Sequence, residues 1–119
     1  MNEDMLCYRD SFACRRVVLL HGWGADAEDL IPLGMELKFL SPNPLELVLL
    51  RAPHLHPQGE GRQWYGLFPP DWDAVPAAIE QLQDQLRNLP NDEIPLEKTV
   101  MIGFSQGGAM ALASGCALP

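Results

Sequence analysis

The sequence predicts an α/β fold, a three-layer sandwich in which helices cover both faces of a mostly parallel sheet. Short, uninterrupted apolar runs recur along the chain and are typical of strands buried on both faces. Between these runs lie segments whose apolar residues are spaced three and four positions apart, which indicates amphipathic helices. Because strands that alternate with helices form right-handed crossovers, the strands are expected to pair in parallel.

Three apolar runs are the predicted strands of this sheet. They span residues 16–21, 45–50 and 98–102, and the first is followed directly by Gly22. Each is far shorter than the roughly 18 apolar residues that a membrane helix requires. The sequence therefore predicts a soluble protein with no membrane span.

Two helices are predicted between these strands. Asp29 and Asp73 are expected to cap their starts, and Pro32 and Pro76 fall in the first turns, where a missing N–H has no helical partner to lose. The first apolar face is expected to consist of Leu30, Leu33, Leu37 and Leu40. The second is expected to consist of Val75, Ile79, Leu82, Leu86 and Leu89, with Pro90 and Asn91 closing the helix.

The segment 52–73 fits neither a strand nor a helix. It is rich in proline and glycine and too aromatic for a simple linker, and loops of this length are usually functional or disordered. Its aromatic residues either pack the loop or line an apolar pocket, and the sequence does not choose between the two. The residues concerned are Trp64, Tyr65, Phe68 and Trp72.

Composition limits the class of protein. With 119 residues, of which 47% are hydrophobic and 20% charged, residues 1–119 are expected to form a single domain or part of one. The net charge of −8 and the absence of a basic cluster argue against a nucleic-acid partner. Cys7, Cys14 and Cys116 are widely spaced and odd in number, and the acidic N-terminus lacks the features of a signal peptide. We therefore expect reduced thiols, a cytoplasmic location and no metal site.

The stretch 103–108 places Ser105 between glycines directly after the third predicted strand. Strand, serine and small residues in this order predict a nucleophile elbow, which exposes the serine hydroxyl at a sharp turn into a helix. The N–H of Gln106 would then point at an oxygen that becomes negative when the serine attacks a carbonyl. The small residues expected to permit this turn are Gly103, Gly107 and Gly108.

A second oxyanion donor is expected from the loop that follows the first strand. Gly22 and Gly24 let this backbone bend toward the serine, and the N–H of Trp23 is the predicted donor. His21 precedes these residues and could act as a catalytic base. A histidine at the end of a buried strand more often fixes loop geometry through hydrogen bonds to the backbone, and we favour that interpretation.

With both loops in view, the chain resembles the α/β-hydrolase superfamily over nearly its whole length. Gln106 followed by two glycines, the sequence Arg51-Ala52-Pro53 and the pair Trp64-Tyr65 are similar to the phospholipase/carboxylesterase family, which includes the acyl-protein thioesterases. The resemblance implies a cytosolic serine hydrolase for small-molecule carboxylic esters or thioesters, without a metal or cofactor. It also implies that Trp64, Tyr65 and Phe68 border an acyl-binding cleft.

The sequence departs from this family after the serine. Members run to about twice this length and carry the triad aspartate and histidine after the nucleophile, whereas no Asp, Glu or His follows Ser105 here. The chain therefore resembles the N-terminal half of such an enzyme, truncated after the elbow helix and expected to be inactive alone. His54 and His56 are weak alternatives as the base, because a base must lie within about 3 Å of the serine oxygen.

Two further expectations follow from this departure. The elbow strand should pair with the first predicted strand and leave its outer edge open to self-association. A competing hypothesis is a non-catalytic, shortened hydrolase-like protein, or a binding module that uses the aromatic segment 64–72 as its cleft.

Overall fold

The computed structural model describes residues 5–57, 59, 61–67, 69–89 and 94–115, which form a sheet with helices on both faces. The strands are β1 (Met5–Arg9), β2 (Arg15–Leu20), β3 (Leu45–Leu50), β4 (His54–Leu55), β5 (Arg62–Gln63) and β6 (Thr99–Gly103). The α-helices are α1 (Ile31–Leu40), α2 (Val75–Arg87) and α3 (Gln106–Gly115). Three short 3₁₀ segments span Ala27–Leu30, Trp72–Ala74 and Leu96–Lys98.

The main sheet is mixed and mostly parallel, with the strand order β1-β3-β2-β6. β2 pairs in parallel with both β3 and β6, and these are the three strands that the apolar runs predict. β1 was not predicted, and it pairs antiparallel with β3 along its whole length. Three of its residues are partly buried and two, Cys7 and Arg9, are exposed, so it lacks the continuous apolar run that identifies the central strands. A separate hairpin of β4 and β5 lies within the long aromatic segment.

Alternate side chains of the central strands build two apolar cores. On one face, strand residues such as Val18 and Leu50 pack against the buried face of α2 and against Met110 of α3. On the other face, strand residues such as Leu19 and Leu47 pack beneath α1. This gives the predicted three-layer α/β sandwich, because each face of the sheet is covered by helix.

Helix α1 differs from its predicted form at its start and along its face. Its N-cap is Leu30, which supplies no side-chain hydrogen bond, so the predicted capping role of Asp29 is wrong. The Asp29 carboxylate instead accepts from the Asp26 N–H, within a capping box on the preceding 3₁₀ segment. Of the predicted leucine face, Leu33 and Leu40 are exposed. The helix approaches the sheet through Gly34, where an added Cβ would lie 3.0 Å from the Leu47 side chain.

Helix α2 follows its predicted apolar pattern more closely. Leu82 and Leu86 are buried together with Ala78, and Leu89 is buried just beyond the helix end. The N-cap is Ala74, which makes no side-chain hydrogen bond, so the predicted capping role of Asp73 is wrong. Asp73 lies within the 3₁₀ turn that precedes the helix. The predicted closing residues, Pro90 and Asn91, lie outside the described residues.

A buried ion pair links β2 to β3 at the edge of the sheet where these two strands begin. Arg16 is 1% exposed, and its Nε lies 2.6 Å from Oε1 of Glu46. Arg16 also donates to the carbonyl oxygen of Ile94, while Arg9 of β1 contacts the second carboxylate oxygen at 3.4 Å. The pair therefore joins three strands to the segment before β6.

The outer edge of β6 faces away from the rest of the sheet. β6 pairs with β2 as predicted, and no further strand pairs with it in the described part of the chain. Val100 on this strand is 59% exposed. None of the helices among the described residues has the length and apolar character needed to cross a membrane.

Candidate active site

Ser105 lies at the sharp turn that joins β6 to α3. Its φ is +55°, a left-handed conformation that costs a residue other than glycine of the order of 1–3 kcal/mol. The turn is held by hydrogen bonds from the Phe104 N–H to the Leu20 carbonyl (3.1 Å) and from the Gly107 N–H to the Phe104 carbonyl (2.9 Å). Ser105 is exposed. Ser105 therefore combines a strained backbone with an exposed position at the turn.

Glycine is required at this turn because α3 begins directly against the end of β2. A Cβ at Gly107 would clash with the carbonyl oxygens of Leu20 and His21. A Cβ at Gly103 would clash with the Gly107 carbonyl in the same way. Gly108 is less crowded, since its nearest neighbour would be the Gly103 oxygen at 3.2 Å.

The loop that follows β2 lies beside the nucleophile. A Cβ placed on Gly22 would come within 3.4 Å of the Ser105 Cβ and 3.2 Å of the Phe104 oxygen. Trp23 follows directly and is partly exposed, and Gly24 has a φ of +83° that favours glycine. The two backbone segments predicted to supply oxyanion donors are therefore adjacent in space.

His21 holds this loop and the end of β3 together. Its Nε2 must be an acceptor, because the group facing it at 2.9 Å is the Ala52 N–H, so the ring proton is on Nδ1 and donates to the Gly22 carbonyl at 2.8 Å. Burial lowers the pKa of His21 and favours the neutral ring, although the hydrogen bond to Gly22 opposes this shift. With both ring nitrogens bound to backbone, the geometry favours the loop-fixing interpretation over a catalytic base.

Residues 62–65, which we call the strap, cross over the loop after β2. The Arg62 N–H donates to the Ala25 carbonyl at 2.7 Å, and the Gly24 N–H donates to the Arg62 carbonyl at 2.8 Å. The indole Nε1–H of Trp23 donates to Oε1 of Gln63 at 2.8 Å. Backbone and side-chain hydrogen bonds therefore bind the strap to the loop.

The other end of the strap is bound to the start of α3 by the Gln106 side chain. Oε1 of Gln106 accepts from the Trp64 N–H at 2.9 Å, and its Nε2 donates to the Tyr65 carbonyl at 2.8 Å. The Trp64 indole donates to the His21 carbonyl at 2.9 Å, and the two rings are stacked with centroids 5.5 Å apart. These contacts join positions about 40 residues apart in sequence, so no local pattern could have predicted them.

The aromatic residues of the long segment occupy different environments. Trp64 is 2% exposed and Tyr65 is 9% exposed, which favours packing over contact with a substrate. Trp72 is 66% exposed, and the predicted pocket residue Phe68 lies outside the described residues.

The two histidines of this segment also differ in environment. His54 is exposed on β4, whereas the buried ring of His56 meets the Trp23 ring edge-on, with the ring centroids 4.0 Å apart.

Arg51, which follows β3, forms ion pairs with Asp26 and Glu28 and so fixes the end of this strand to the loop. The Nε of Arg51 lies 2.6 Å from Oδ1 of Asp26, the residue that also caps the 3₁₀ segment by accepting from the Ala27 N–H. No group of three or more His, Cys, Asp and Glu side chains in the described ranges could hold a metal ion.

This fold and this site define the class of protein. A mostly parallel sheet, a strained serine between strand and helix, and a glycine-containing loop beside it are the features of an α/β-hydrolase. The family model for phospholipases and carboxylesterases matches residues 9–119. The chain belongs to the phospholipase/carboxylesterase family.

Solved structures of esterases and of a thioesterase share this fold. Esterase PE8 is 32% identical with a TM-score of 0.82, and the match covers 97% of this chain and 57% of that one. A carboxylesterase from Mesorhizobium loti is 21% identical with a TM-score of 0.71, over 93% of this chain and 51% of that one. Acyl-protein thioesterase 2 from Zea mays is 24% identical with a TM-score of 0.62, over 92% and 49%. The chain spans about half the length of the structures it matches.

Proposed function

We propose that this protein is a serine hydrolase that acts on carboxylic esters or thioesters. Ser105 is the nucleophile, and the backbone N–H groups of Trp23 and Gln106 stabilise the oxyanion. The observation that carries this proposal is the exposed, strained Ser105 with the Gly22 backbone packed beside its Cβ. The 32% identity to esterase PE8 supports an ester substrate.

The Gln106 N–H suits the donor role because of its position in α3. It is the first amide of the helix and has no intrahelical acceptor, and the helix dipole adds partial positive charge at this end. The Trp23 amide follows Gly22, where an added Cβ would lie 3.4 Å from the Ser105 Cβ. In the proposed site both amides donate to the same oxygen, whose negative charge develops during attack.

The proposed reaction has two steps, acylation of Ser105 and hydrolysis of the acyl-serine. The Ser105 oxygen attacks the acyl carbon and gives its proton to a base, while the carbonyl π electrons move onto the oxygen held by the two amides. When the carbonyl re-forms, the bond to the leaving alkoxide or thiolate breaks and the base returns the proton to it. Water then attacks the acyl-serine in the same way, and the carboxylic acid and free Ser105 are released.

The three histidines of the 119 residues do not suit the role of base. His21 uses both ring nitrogens for backbone hydrogen bonds, His54 is exposed on β4, and His56 is packed against Trp23. We therefore propose that the base and its acidic partner come from residues outside these 119. The 119 residues alone should turn over esters slowly, because a site without its base keeps only the part of catalysis due to the oxyanion hole.

Covalent labelling tests this function in the complete protein. A fluorophosphonate probe should label the wild type, and Ser105→Ala should abolish both labelling and hydrolysis of a p-nitrophenyl ester and a thioester. Ser114→Ala is the matched control, because the hydroxyl of this α3 residue is buried and has no hydrogen-bond partner among the described residues. It should label at the wild-type rate.

Two results would reject the proposal. Absence of labelling in the complete, folded protein would favour the non-catalytic binding module. Equal labelling of the wild type and Ser105→Ala would assign the nucleophile to another residue.

The cytoplasmic location remains part of this proposal, and it rests on the unpaired cysteines Cys7 and Cys14.

A further inference from the structure

The two proposed oxyanion donors belong to different parts of the chain. Trp23 lies in the loop after β2, and Gln106 opens α3, more than 80 residues later. An oxyanion hole works only if its donors are held in place before the charge develops. The loop that carries Trp23 contains Gly24 in a left-handed conformation, so its own backbone restricts its position weakly.

The strap is the element that connects the two donors. At one end the Gln63 side chain accepts from the Trp23 indole, and the backbone of Arg62 pairs with Gly24 and Ala25. At the other end, the backbone of Trp64 and Tyr65 is bound by the Gln106 side chain. The strap as a whole thus contacts both donor residues, Trp23 through Gln63 and Gln106 through Trp64 and Tyr65.

We propose that Gln63 and the side chain of Gln106 are positioning residues, which act through the strap to hold the two donor amides at a fixed separation. This inference rests on the proposed function, because it assigns the strap a role in that same oxyanion hole. Neither side chain touches the reacting atoms. Each acts through a hydrogen bond to the backbone or to the indole.

The two glutamines differ in what their removal would cost. Gln106 is 5% exposed, so removing its carboxamide would leave the Trp64 N–H and the Tyr65 carbonyl buried without their partner and would destabilise the fold. Gln63 is only half-buried, and water can reach the partly exposed Trp23 indole in its place. Gln63 is therefore the sharper probe, because its loss loosens the donor without a large loss of stability.

The experiment uses Gln63→Leu in the complete protein, with ester hydrolysis and binding of a trifluoromethyl ketone as readouts. This inhibitor forms a tetrahedral adduct whose oxygen occupies the oxyanion hole, so its affinity reports the hole directly. We expect kcat to fall roughly 10- to 100-fold, because displacing a catalytic group by about 1 Å can lower the rate by up to about 100-fold. The inhibitor affinity should fall in parallel, while KM stays within about twofold.

Three variants separate positioning from general structural damage. Gln63→Glu keeps an oxygen that accepts from the indole and should restore most of kcat. Trp23→Phe removes the same hydrogen bond from the other side, so combining it with Gln63→Leu should add no further loss. Gln83→Leu is the matched control, since Gln83 donates to the Ser114 carbonyl at 3.2 Å, between α2 and the end of α3, and its loss should leave kcat unchanged.

The outcomes distinguish this inference from the function on which it rests. If Ser105→Ala abolishes activity but Gln63→Leu keeps the wild-type kcat and inhibitor affinity, the positioning role is refuted and the function stands. Equal losses in Gln63→Leu and Gln83→Leu, or no rescue by Gln63→Glu, would also refute it. If Ser105→Ala retains activity, both proposals fail.

Discussion

Replacing Gly107 with alanine tests how closely the elbow helix must approach the end of β2. The added Cβ would lie nearer than 3.0 Å to the carbonyl oxygens of Leu20 and His21, a distance that real Cβ atoms essentially never show. Both neighbours are backbone atoms at the end of a central strand, so neither can rotate away. The first turn of α3 must therefore move outward and carry Ser105 and the Gln106 amide with it.

The size of the effect follows from this displacement. Overpacking a well-packed site costs about 1–3 kcal/mol, a large part of the roughly 5–15 kcal/mol by which domains of this kind are stable. With a urea m-value of about 1–3 kcal/mol/M, the denaturation midpoint should fall by about 1 M. A shift of about 1 Å at the nucleophile should also lower the rate of fluorophosphonate labelling by up to 100-fold.

Gly108→Ala is the matched control in the same helical turn. Its Cβ would meet the Gly103 oxygen at 3.2 Å and nothing closer, and alanine raises helix stability by up to about 1 kcal/mol relative to glycine. Its midpoint and its labelling rate should both fall less than those of Gly107→Ala, because the 3.2 Å contact needs a smaller shift of the backbone. If Gly107→Ala matches Gly108→Ala in urea midpoint and in labelling rate, the close approach of α3 to β2 is not required and this reasoning is wrong.

Three further predictions concern stability and association. Arg16→Met should lower the free energy of unfolding, measured in urea, by about 3 kcal/mol. This value is at the low end of the range for breaking a buried ion pair, because Arg9 still contacts Glu46. Adding Glu46→Leu should recover most of the lost stability. Burial lowers the pKa of His21 below its ordinary 6.5, so the stability that its neutral ring contributes is complete above that pH and is lost as the pH falls. The free energy of unfolding should therefore decrease as the pH is lowered below about 6.5, and it should decrease less in His21→Asn. Equal slopes for the two proteins would contradict this. Residues 1–119 alone should self-associate through β6 in sedimentation experiments, and Val100→Lys should reduce this; a monodisperse wild-type monomer would count against it.

The parts of the fold that the sequence predicts are those encoded by adjacent residues. β3 is buried at all six positions, so its continuous apolar run identifies it directly. The elbow is equally local, because strand, serine and glycines lie within a single short stretch. β1 is not predicted from its local sequence because it is an edge strand whose residues are partly buried or exposed. Its pairing with β3 depends on contacts with residues about 40 positions away.

The two capping errors have a common physical cause. In both α1 and α2 a 3₁₀ turn precedes the α-helix, which moves the start of the α-helix beyond the acidic residue chosen as its cap. Asp29 is used instead by the Asp26 backbone, in a capping box one turn earlier. A sequence pattern identifies the region where a chain turns into a helix, but it does not separate a 3₁₀ turn from the first α-helical turn.

The proposed catalysis has an electrostatic part and a proton-transfer part, which we assign to different parts of the chain. The strained serine, the amide at the start of α3 and the loop after β2 are joined by His21, Gln106 and the strap within the 119 residues. A preformed oxyanion hole stabilises the developing charge without any proton transfer, and it retains about 10³–10⁴ of the rate over water when a triad member is missing. Proton transfer needs the base that we place elsewhere. The electrostatic part of the site can therefore form without the base, and losing the strap should weaken it whether or not the base is present.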